Sequence, residues 1–310
     1  MSHKSWTNWV KGWLEADEKS IISWFAAMEG AITIPTKYGN AVYVPPKRED
    51  SVLLVAHTDT VWGNTPVKVK VKGDIMYSGN KKIGIGADDR AGVAALAMLK
   101  DEGHAMLIVP EEETGCNGSR EFAKICPDLI EQHRYAIQFD RRGGSDLVRY
   151  ECDNPDFDDY LLKNLGGYDL ATGSFSDICE LCPAGGIAGV NISIGFMREH
   201  TTSETLNLKQ WHNTVMKVKL MIAHECPKFE YIEALNTYGN LSWGGGGYEW
   251  AYDDELLGWK DHFADIETEG LWCPDCAYEV VLDEDECSCP VCGNSNENMY
   301  YVGRVEYYDE

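Results

Sequence analysis

Four short apolar runs in this chain are each followed closely by acidic residues or a histidine. They are residues 52–56 with His57, 105–109 with Glu112 and Glu113, 135–139 with Asp140, and 189–194 with His200. Short apolar runs bounded by turn residues are typical of buried strands. In an open parallel sheet, ligands bind beyond the carboxyl ends of the strands. The pattern therefore predicts a parallel sheet with a cluster of metal-ligand side chains along one edge.

Strand-like and helical segments alternate between residues 50 and 195, which predicts an α/β fold: a mostly parallel twisted sheet flanked by helices. The other predicted elements are one or two amphipathic helices in 5–29, a hairpin in 31–44, an exposed strand at 67–71, helices at 91–99, 119–126 and 128–133, and a closing helix at 208–224. The tryptophans of residues 5–29 recur every three to four positions, so we expect them to pack on the core.

Five of the 11 cysteines cluster near the end of the chain, from Cys273 to Cys292. Two Cys-x-x-Cys pairs, on either side of the segment 277–288, contain Cys273, Cys276, Cys289 and Cys292. Four thiolates at this spacing can close a tetrahedral structural Zn²⁺ site. We therefore predict a small β-rich zinc ribbon at residues 271–310. Its excess of acidic residues indicates a structural or protein-contact role rather than nucleic-acid binding.

Charge is distributed unevenly along the 310 residues, whose net charge is −24. Residues 228–310 contain 20 Asp and Glu but only 3 Lys and Arg. This argues against a nucleic-acid partner, because phosphate binding needs clustered basic residues, whereas a basic protein partner would fit. The predicted organisation is a catalytic domain at 1–227, an acidic, aromatic and Gly-rich linker at 228–270, and the zinc ribbon.

The sequence also predicts a cytoplasmic protein without a membrane partner. No apolar stretch approaches the length that a membrane-spanning helix needs, and the N-terminal segment lacks the apolar core of a signal peptide. An odd number of cysteines with one tight cluster suits metal binding in a reducing compartment better than a disulfide framework.

The polar residues beyond the strand ends can build a hydrolytic site with two metal ions. His57 offers a ring nitrogen, and Asp59 lies two residues on, where it can accept the other ring N–H. Asp88 begins a turn into a helix, where its carboxylate can bridge two metals. Glu112 and Glu113 are adjacent and point to different sides of an extended segment, so one can bind metal while the other acts as a general base. Two metals would polarise a scissile carbonyl and activate a water.

These residues lie in motifs that resemble those of the co-catalytic zinc exopeptidases. The motifs are residues 53–61 around His57, 86–94 around Asp88, 111–115 of Glu-Glu-x-Gly type, and 200–206 beginning with His200. They appear in the order expected for this superfamily, which includes di-zinc aminopeptidases, peptidase T-like tripeptidases and related amidohydrolases. The resemblance covers about residues 20–225.

The resemblance implies a role for each residue of the site. It implies the metal ligands His57, Asp88, Glu113, Asp140 and His200, the general base Glu112, and Asp59 as the residue that orients His57. It implies two catalytic Zn²⁺, with Co²⁺ or Mn²⁺ as alternatives. It also makes Asp88–Asp89 a candidate for a cis peptide bond.

The chain departs from part of this family. The segment between Asp140 and His200, which is 141–199, is too short for the lid and dimerisation domain that many peptidase T-like members insert there. The chain therefore looks closer to the single-domain aminopeptidases. Arg141 either binds a substrate carboxylate or lies on a solvated loop. Asp177 falls where such aminopeptidases often carry a Ser-Asp pair near the substrate pocket.

Amide-bond hydrolysis is the function that the sequence predicts, with an aminopeptidase acting on short peptides as the first expectation. A carboxypeptidase or an N-acyl amino-acid deacylase, acting on an acylated amino acid, is the alternative among hydrolases. From another class, a non-catalytic protein-binding module on a peptidase fold would use the acidic C-terminal region to dock a partner.

Overall fold

The structure is a computed structural model, and it describes residues 3–234 and, beyond them, the backbone of three short strands. The helices are α1 (His3–Leu14), α2 (Glu18–Ala26), α3 (Ala87–Leu99), α4 (Asn117–Ile125), α5 (Asp128–Glu131), α6 (Pro155–Asn164), α7 (Asp177–Gly185) and α8 (Leu208–Ile222). The strands of the main sheet are β1 (Ile32–Thr36), β2 (Gly39–Val44), β3 (Leu53–His57), β6 (Ala105–Val109), β7 (Ala136–Arg141), β8 (Asp146–Val148), β9 (Asp169–Ala171) and β10 (Gly189–Ser193). A second sheet contains β4 (Val69–Lys72), β5 (Ile75–Ser78), β11 (Phe196–Met197) and β12 (Thr205–Asn207).

The main sheet has the strand order β1-β2-β6-β3-β7-β10-β8-β9. Its four central strands, β6, β3, β7 and β10, run parallel, and β2 and β8 run antiparallel beside them. The mostly parallel α/β sheet predicted from the sequence is therefore confirmed. The predicted hairpin is also present, with Pro35 paired to Asn40 and Thr36 to Gly39.

Helices cover both faces of this sheet. In β3, Leu54 and Ala56 pack in one core cluster, whose helical residues come from α1, α2, α3, α6 and α8. Leu53 and Val55 pack in a second cluster with α4, α5 and α7. Successive residues of a strand point to opposite faces, so burial on both sides accounts for the unbroken apolar run.

The parallel register brings the carboxyl ends of three strands to one edge of the sheet. His57 at the end of β3 is level with Val109 at the end of β6. Gln138 of β7 pairs with Val55, two residues before His57, so Asp140 reaches about the same level. The side chains that follow these strands therefore lie at the same edge, which is where the sequence predicts the site.

The N-terminal helices form part of the core, as predicted. Trp6 of α1 stacks on Trp211 of α8, with 6.4 Å between ring centroids. Trp13 makes an edge contact with Trp24 of α2. Two tryptophans also bind the backbone of α3: Trp9 donates to the Ala94 carbonyl at 3.3 Å, and Trp211 donates to the Ala91 carbonyl at 2.9 Å.

The small antiparallel sheet, in the order β11-β12-β5-β4, was predicted only at its edge, where β4 overlaps residues 67–71. Strand β12 directly follows the His200 loop and pairs with β5, which precedes the Asp88 turn. The small sheet therefore connects two of the segments that carry predicted metal ligands. The residues between Asp140 and His200 form β8, α6, β9, α7, β10 and β11, and this described range contains no separate lid domain.

Residues 229–234 lie against the main α/β fold. Phe229 packs on Tyr135 and Phe157, and Ile232 accepts a backbone hydrogen bond from Asp153. Strands β13 (Gly270–Cys273), β14 (Tyr278–Val281) and β15 (Tyr300–Val302) form an antiparallel sheet in the order β14-β13-β15. The β-rich character predicted for residues 271–310 agrees with this sheet, but Cys276, Cys289, Cys292 and the side chain of Cys273 lie outside the described residues. The domain division and the zinc ribbon stay predictions.

Among the described residues, no helix combines the length and the apolar character that crossing a membrane requires.

Candidate metal centre

Asp88 occupies the middle of a polar cluster at the carboxyl edge of the sheet. Its Oδ1 lies 3.2 Å from Nε2 of His57, and its Oδ2 lies 3.2 Å from Nε2 of His200. His200 Nε2 is also 2.9 Å from Oε2 of Glu113. These hydrogen bonds raise the pKa of His200 to about 11. The Asp88 carboxylate thus faces two histidines, one from the first predicted motif and one from the last.

The cluster resolves into two overlapping groups of three residues. The first contains His57, Asp88 and Asp140, and the second contains Asp88, Glu113 and His200. Within each group, one ligand atom per residue lies within 4.8 Å of the others. The predicted ligands are therefore brought together, with Asp88 shared between the groups.

The donor atoms fit divalent metals. Zn²⁺ binds nitrogen and carboxylate oxygen at about 2.0–2.2 Å, so donors around a single ion lie about 4 Å apart or less. The spacing within each group is compatible with such an ion after small side-chain adjustments. Glu113 also has a buried oxygen, Oε1, that makes no hydrogen bond with the described protein. An ion beside Glu113 would satisfy this oxygen.

Electrostatics at the centre favour a cation as well. Burial raises the pKa of Asp140 well above its usual range, and repulsion from Asp88 adds to the effect. Burial likewise raises the pKa of Glu112 and of Glu113. Burial opposes protonation of His57, but hydrogen bonds with Asp140 and neighbouring carboxylates outweigh it and raise its pKa. These shifts reflect an excess of negative charge in a buried place, which a bound cation would balance.

The turn after β6 presents two carboxylates, and Asp59 holds this turn. Backbone N–H groups of Glu112 and Glu113 donate to Oδ1 and Oδ2 of Asp59, each at 3.1 Å. Nδ1 of His57 lies 3.3 Å from the same Oδ1. Glu113 points to His200, whereas Oε2 of Glu112 is 3.8 Å from Nε2 of His57. The adjacent acids therefore take different positions, as the sequence predicts.

Asp140 is held by a buried polar network that the sequence did not reveal. Asn191 of β10 accepts from the Asp140 N–H at 2.8 Å and donates to its carbonyl at 2.9 Å. The Ser176 hydroxyl lies 2.7 Å from Oε1 of Gln138 and 3.2 Å from Oδ2 of Asp140, and its single proton can be donated to either. The network spans β7, β10 and the start of α7, so its members are far apart in sequence.

The two predicted substrate residues have clear protein partners. Arg141 binds Asp146 through two nitrogens, at 3.1 and 3.0 Å. Asp177 is fully buried and accepts a hydrogen bond from Gln138 at 2.9 Å. Burial raises the pKa of Asp177 to about 6. Roles for Arg141 and Asp177 in substrate binding stay predictions.

Two further buried acids, which the sequence analysis did not assign, hold the backbone near Asp88: Asp89 is its neighbour, and Glu204 immediately precedes β12. Asp89 accepts from the backbone N–H of His57 at 3.2 Å and of Gly92 at 2.9 Å. Glu204 accepts from three consecutive N–H groups in the Asp88 turn. The Asp88–Asp89 peptide bond is cis, as the resemblance implied. Both acids lie inside the quoted motifs, but motif position alone does not show which backbone they contact.

The fold of the described residues is similar to that of several solved aminopeptidases and of a tripeptidase. The aminopeptidase PepT from Bacillus cereus is 14% identical over 70% of this chain and 97% of that chain, with a TM-score of 0.56. A tripeptidase from Staphylococcus aureus is 14% identical over 70% of this chain and 96% of that chain, also with a TM-score of 0.56. The TET1 peptidase of Pyrococcus horikoshii is 13% identical over 71% and 99%, with a TM-score of 0.52. No protein-family model and no curated protein sequence matches the chain.

Proposed function

We propose that this chain is a metal-dependent aminopeptidase that acts on short peptides. The observation that carries the proposal is Asp88, whose two oxygens face His57 and His200 and so join two three-residue ligand groups. Shared carboxylates of this kind suit two-metal hydrolysis. The similar solved structures are named as aminopeptidases and a tripeptidase, which supports a peptide with a free amino terminus as the substrate.

Two divalent ions, Zn²⁺ or in its place Co²⁺ or Mn²⁺, fit the residues. His57, Asp88 and Asp140 would hold one ion, and Asp88, Glu113 and His200 would hold the other. When bound, the ions supply Lewis acidity to the scissile carbonyl and lower the pKa of the attacking water.

Glu112 is the proposed general base. It is 8% exposed, its Oε2 faces the centre, and its Oε1 is 3.7 Å from the thiol of Cys116. Its carboxylate would take the proton from the attacking water and deliver it to the leaving amine. Asp59 would keep the His57 ring in place through Nδ1.

The proposal includes three further predictions. They are a structural Zn²⁺ at the four C-terminal cysteines, a basic protein partner for the acidic C-terminal region, and a cytoplasmic location. The similar TET1 peptidase can assemble into a tetrahedron or a large octahedral shell.

Three matched substrates separate the proposed aminopeptidase from the alternatives. The full chain, loaded in turn with Zn²⁺, Co²⁺ or Mn²⁺, is assayed on Leu-Gly-Gly, its amidated form and its N-acetylated form, with acetyl-leucine as a fourth substrate. An aminopeptidase cleaves the first two and releases leucine. A carboxypeptidase cleaves the first and third, and a deacylase acts on acetyl-leucine. No turnover of a wider peptide panel with both ions bound would favour a binding module.

Glu112→Gln is the matched active-site variant, because it keeps the size of the side chain and removes the base. We expect kcat to fall about 10²- to 10⁴-fold, with metal content unchanged. Glu111→Gln is the control: Glu111 lies in the same turn, but its carboxylate accepts from Thr114 at 2.8 Å. Full activity in the Glu112 variant would refute its role.

A further inference from the structure

A single buried carboxylate connects the two chain segments that carry Asp88 and His200. Glu204 is 1% exposed and lies four residues after His200. Its Oε2 accepts from the N–H of Gly86 at 2.7 Å, and its Oε1 accepts from Ala87 at 2.8 Å and Asp88 at 3.1 Å. The contact spans 116 to 118 residues of sequence.

These three N–H groups belong to the turn that leads into α3. Asp88 and Asp89 have non-helical dihedral angles, so the regular helix begins after them, and the Asp89 side chain caps it by accepting from the Gly92 N–H at 2.9 Å. The N–H groups of the turn therefore have no acceptor in the helix, and a buried N–H without a partner is costly. Glu204 supplies the acceptors from a distant segment.

The fit around the Glu204 carboxylate is tight. A Cβ added at Gly84 would lie 2.5 Å from Oε2 of Glu204 and 2.7 Å from the carbonyl oxygen of Thr201. Gly86 has a φ of 67°, which residues with a side chain rarely adopt. The turn has therefore little freedom to move while the carboxylate occupies this place.

The position of the turn decides the position of the shared ligand. Asp88 must present Oδ1 to the His57 side and Oδ2 to the His200 side at once. Sites of this kind tolerate only small errors, about 0.5 Å, in the placement of their groups. Glu204 lies in the His200 segment and holds the backbone of Asp88. It therefore sets the spacing between the two ligand groups.

We propose that Glu204 is a positioning residue for the metal centre, which fixes the Asp88 turn against the His200 segment so that one carboxylate can serve both ions. The inference rests on the proposed two-metal function, but it concerns metal binding and not cleavage.

Zinc affinity of the full chain tests this role, measured by competition with a chromophoric chelator. In Glu204→Gln, an amide NH₂ replaces one acceptor oxygen, so that two hydrogen-bond donors face each other and at least one backbone N–H loses its acceptor. We expect zinc affinity at the centre to weaken about 10- to 100-fold, the usual cost of losing a group that orients a ligand. The visible absorption spectrum of the Co²⁺-loaded variant should change as well. Gly84→Ala displaces the same carboxylate by a different route and should have the same two effects.

Asp50→Asn is the control for general loss of stability. Asp50 also holds a backbone N–H, that of Cys226, at 3.0 Å, and it pairs with Arg48, away from the centre. We expect this variant to unfold at lower temperature while its zinc affinity and Co²⁺ spectrum stay those of the wild type.

The results that would overturn the role of Glu204 differ from those that would overturn the proposed aminopeptidase function. Wild-type zinc affinity and Co²⁺ spectrum in folded Glu204→Gln would overturn the positioning role, and so would an equal loss of affinity in Asp50→Asn. A wild-type chain that binds two metals but cleaves no peptide would count against the aminopeptidase and leave the role of Glu204 intact.

Discussion

Replacing Asp59 by asparagine tests how the metal centre is held together. The Asp59 carboxylate has three donors around it. Oδ1 faces the N–H of Glu112 at 3.1 Å and Nδ1 of His57 at 3.3 Å, while Oδ2 accepts the N–H of Glu113 at 3.1 Å. An asparagine at this position retains one oxygen and places an NH₂ group where the other was.

The free energy lost in this variant depends on how many of these donors lose their acceptor. If the asparagine oxygen takes the Oδ1 position, the bond to Glu113 is lost. In the opposite orientation the bond to Glu112 and the contact between Oδ1 and His57 Nδ1 are lost, and Nδ1 keeps only the Asp59 backbone carbonyl at 3.2 Å. At least one charge-assisted hydrogen bond therefore disappears, which is worth about 1.5–3 kcal/mol. One orientation releases the backbone of Glu113 and the other removes the contact with the His57 ring, so one of the two ligand groups is disturbed in either case. We expect zinc affinity to fall about 10- to 100-fold.

Chelator competition gives the zinc affinity of the variant, and urea denaturation of the metal-free protein gives its free energy of unfolding. Asp101→Asn is the matched control. Asp101 is exposed and pairs with Lys100, so the change removes one negative charge without a buried partner. If Asp59→Asn folds and binds zinc within twofold of the wild type, Asp59 does not orient the ligands.

Other predictions concern stability. Chelation should lower the thermal midpoint and excess Zn²⁺ should restore it, because a ligand at about 100 times its Kd stabilises by about 2.7 kcal/mol; an unchanged midpoint in calorimetry would contradict a bound metal. Burial lowers the pKa of His133 to about 4 from 6.5. Between these pH values the unfolded chain therefore protonates this histidine and the folded chain does not. The folded protein should lose up to about 3 kcal/mol of stability as pH falls from 6.5 to 4. In urea denaturation, His133→Gln should lose less stability than the wild type over that range, and parallel losses would refute this. Hydrogen bonding by Arg48 lowers the pKa of Asp50, so the stability deficit of Asp50→Asn should be present above about pH 4 and vanish as the wild-type carboxyl protonates at lower pH. Phe157→Ala should cost about 3–5 kcal/mol, since the ring is fully buried, and a cost under about 1 kcal/mol would contradict its packing.

Local patterns were sufficient to predict much of the fold. The predicted apolar run 105–109 is strand β6, and α1, α2 and α8 lie where periodic apolar residues indicated helices. The patterns were insufficient for β8, β9 and α7. Strands of three residues carry too little periodicity, and α7 contains Pro183, a residue that normally indicates the end of a helix.

The sequence by itself determined which residue types follow each strand, and hence the kind of ligand available. Strand ends of a parallel sheet converge, so His57, Glu113 and Asp140 could be placed together before any coordinates. Only the tertiary structure decided which oxygen of Asp88 faces which histidine and that Glu204 accepts from the N–H groups of the Asp88 turn. Those contacts join segments that lie far apart in the sequence. Their geometry depends on how both sheets and the helices pack together, which no local pattern encodes.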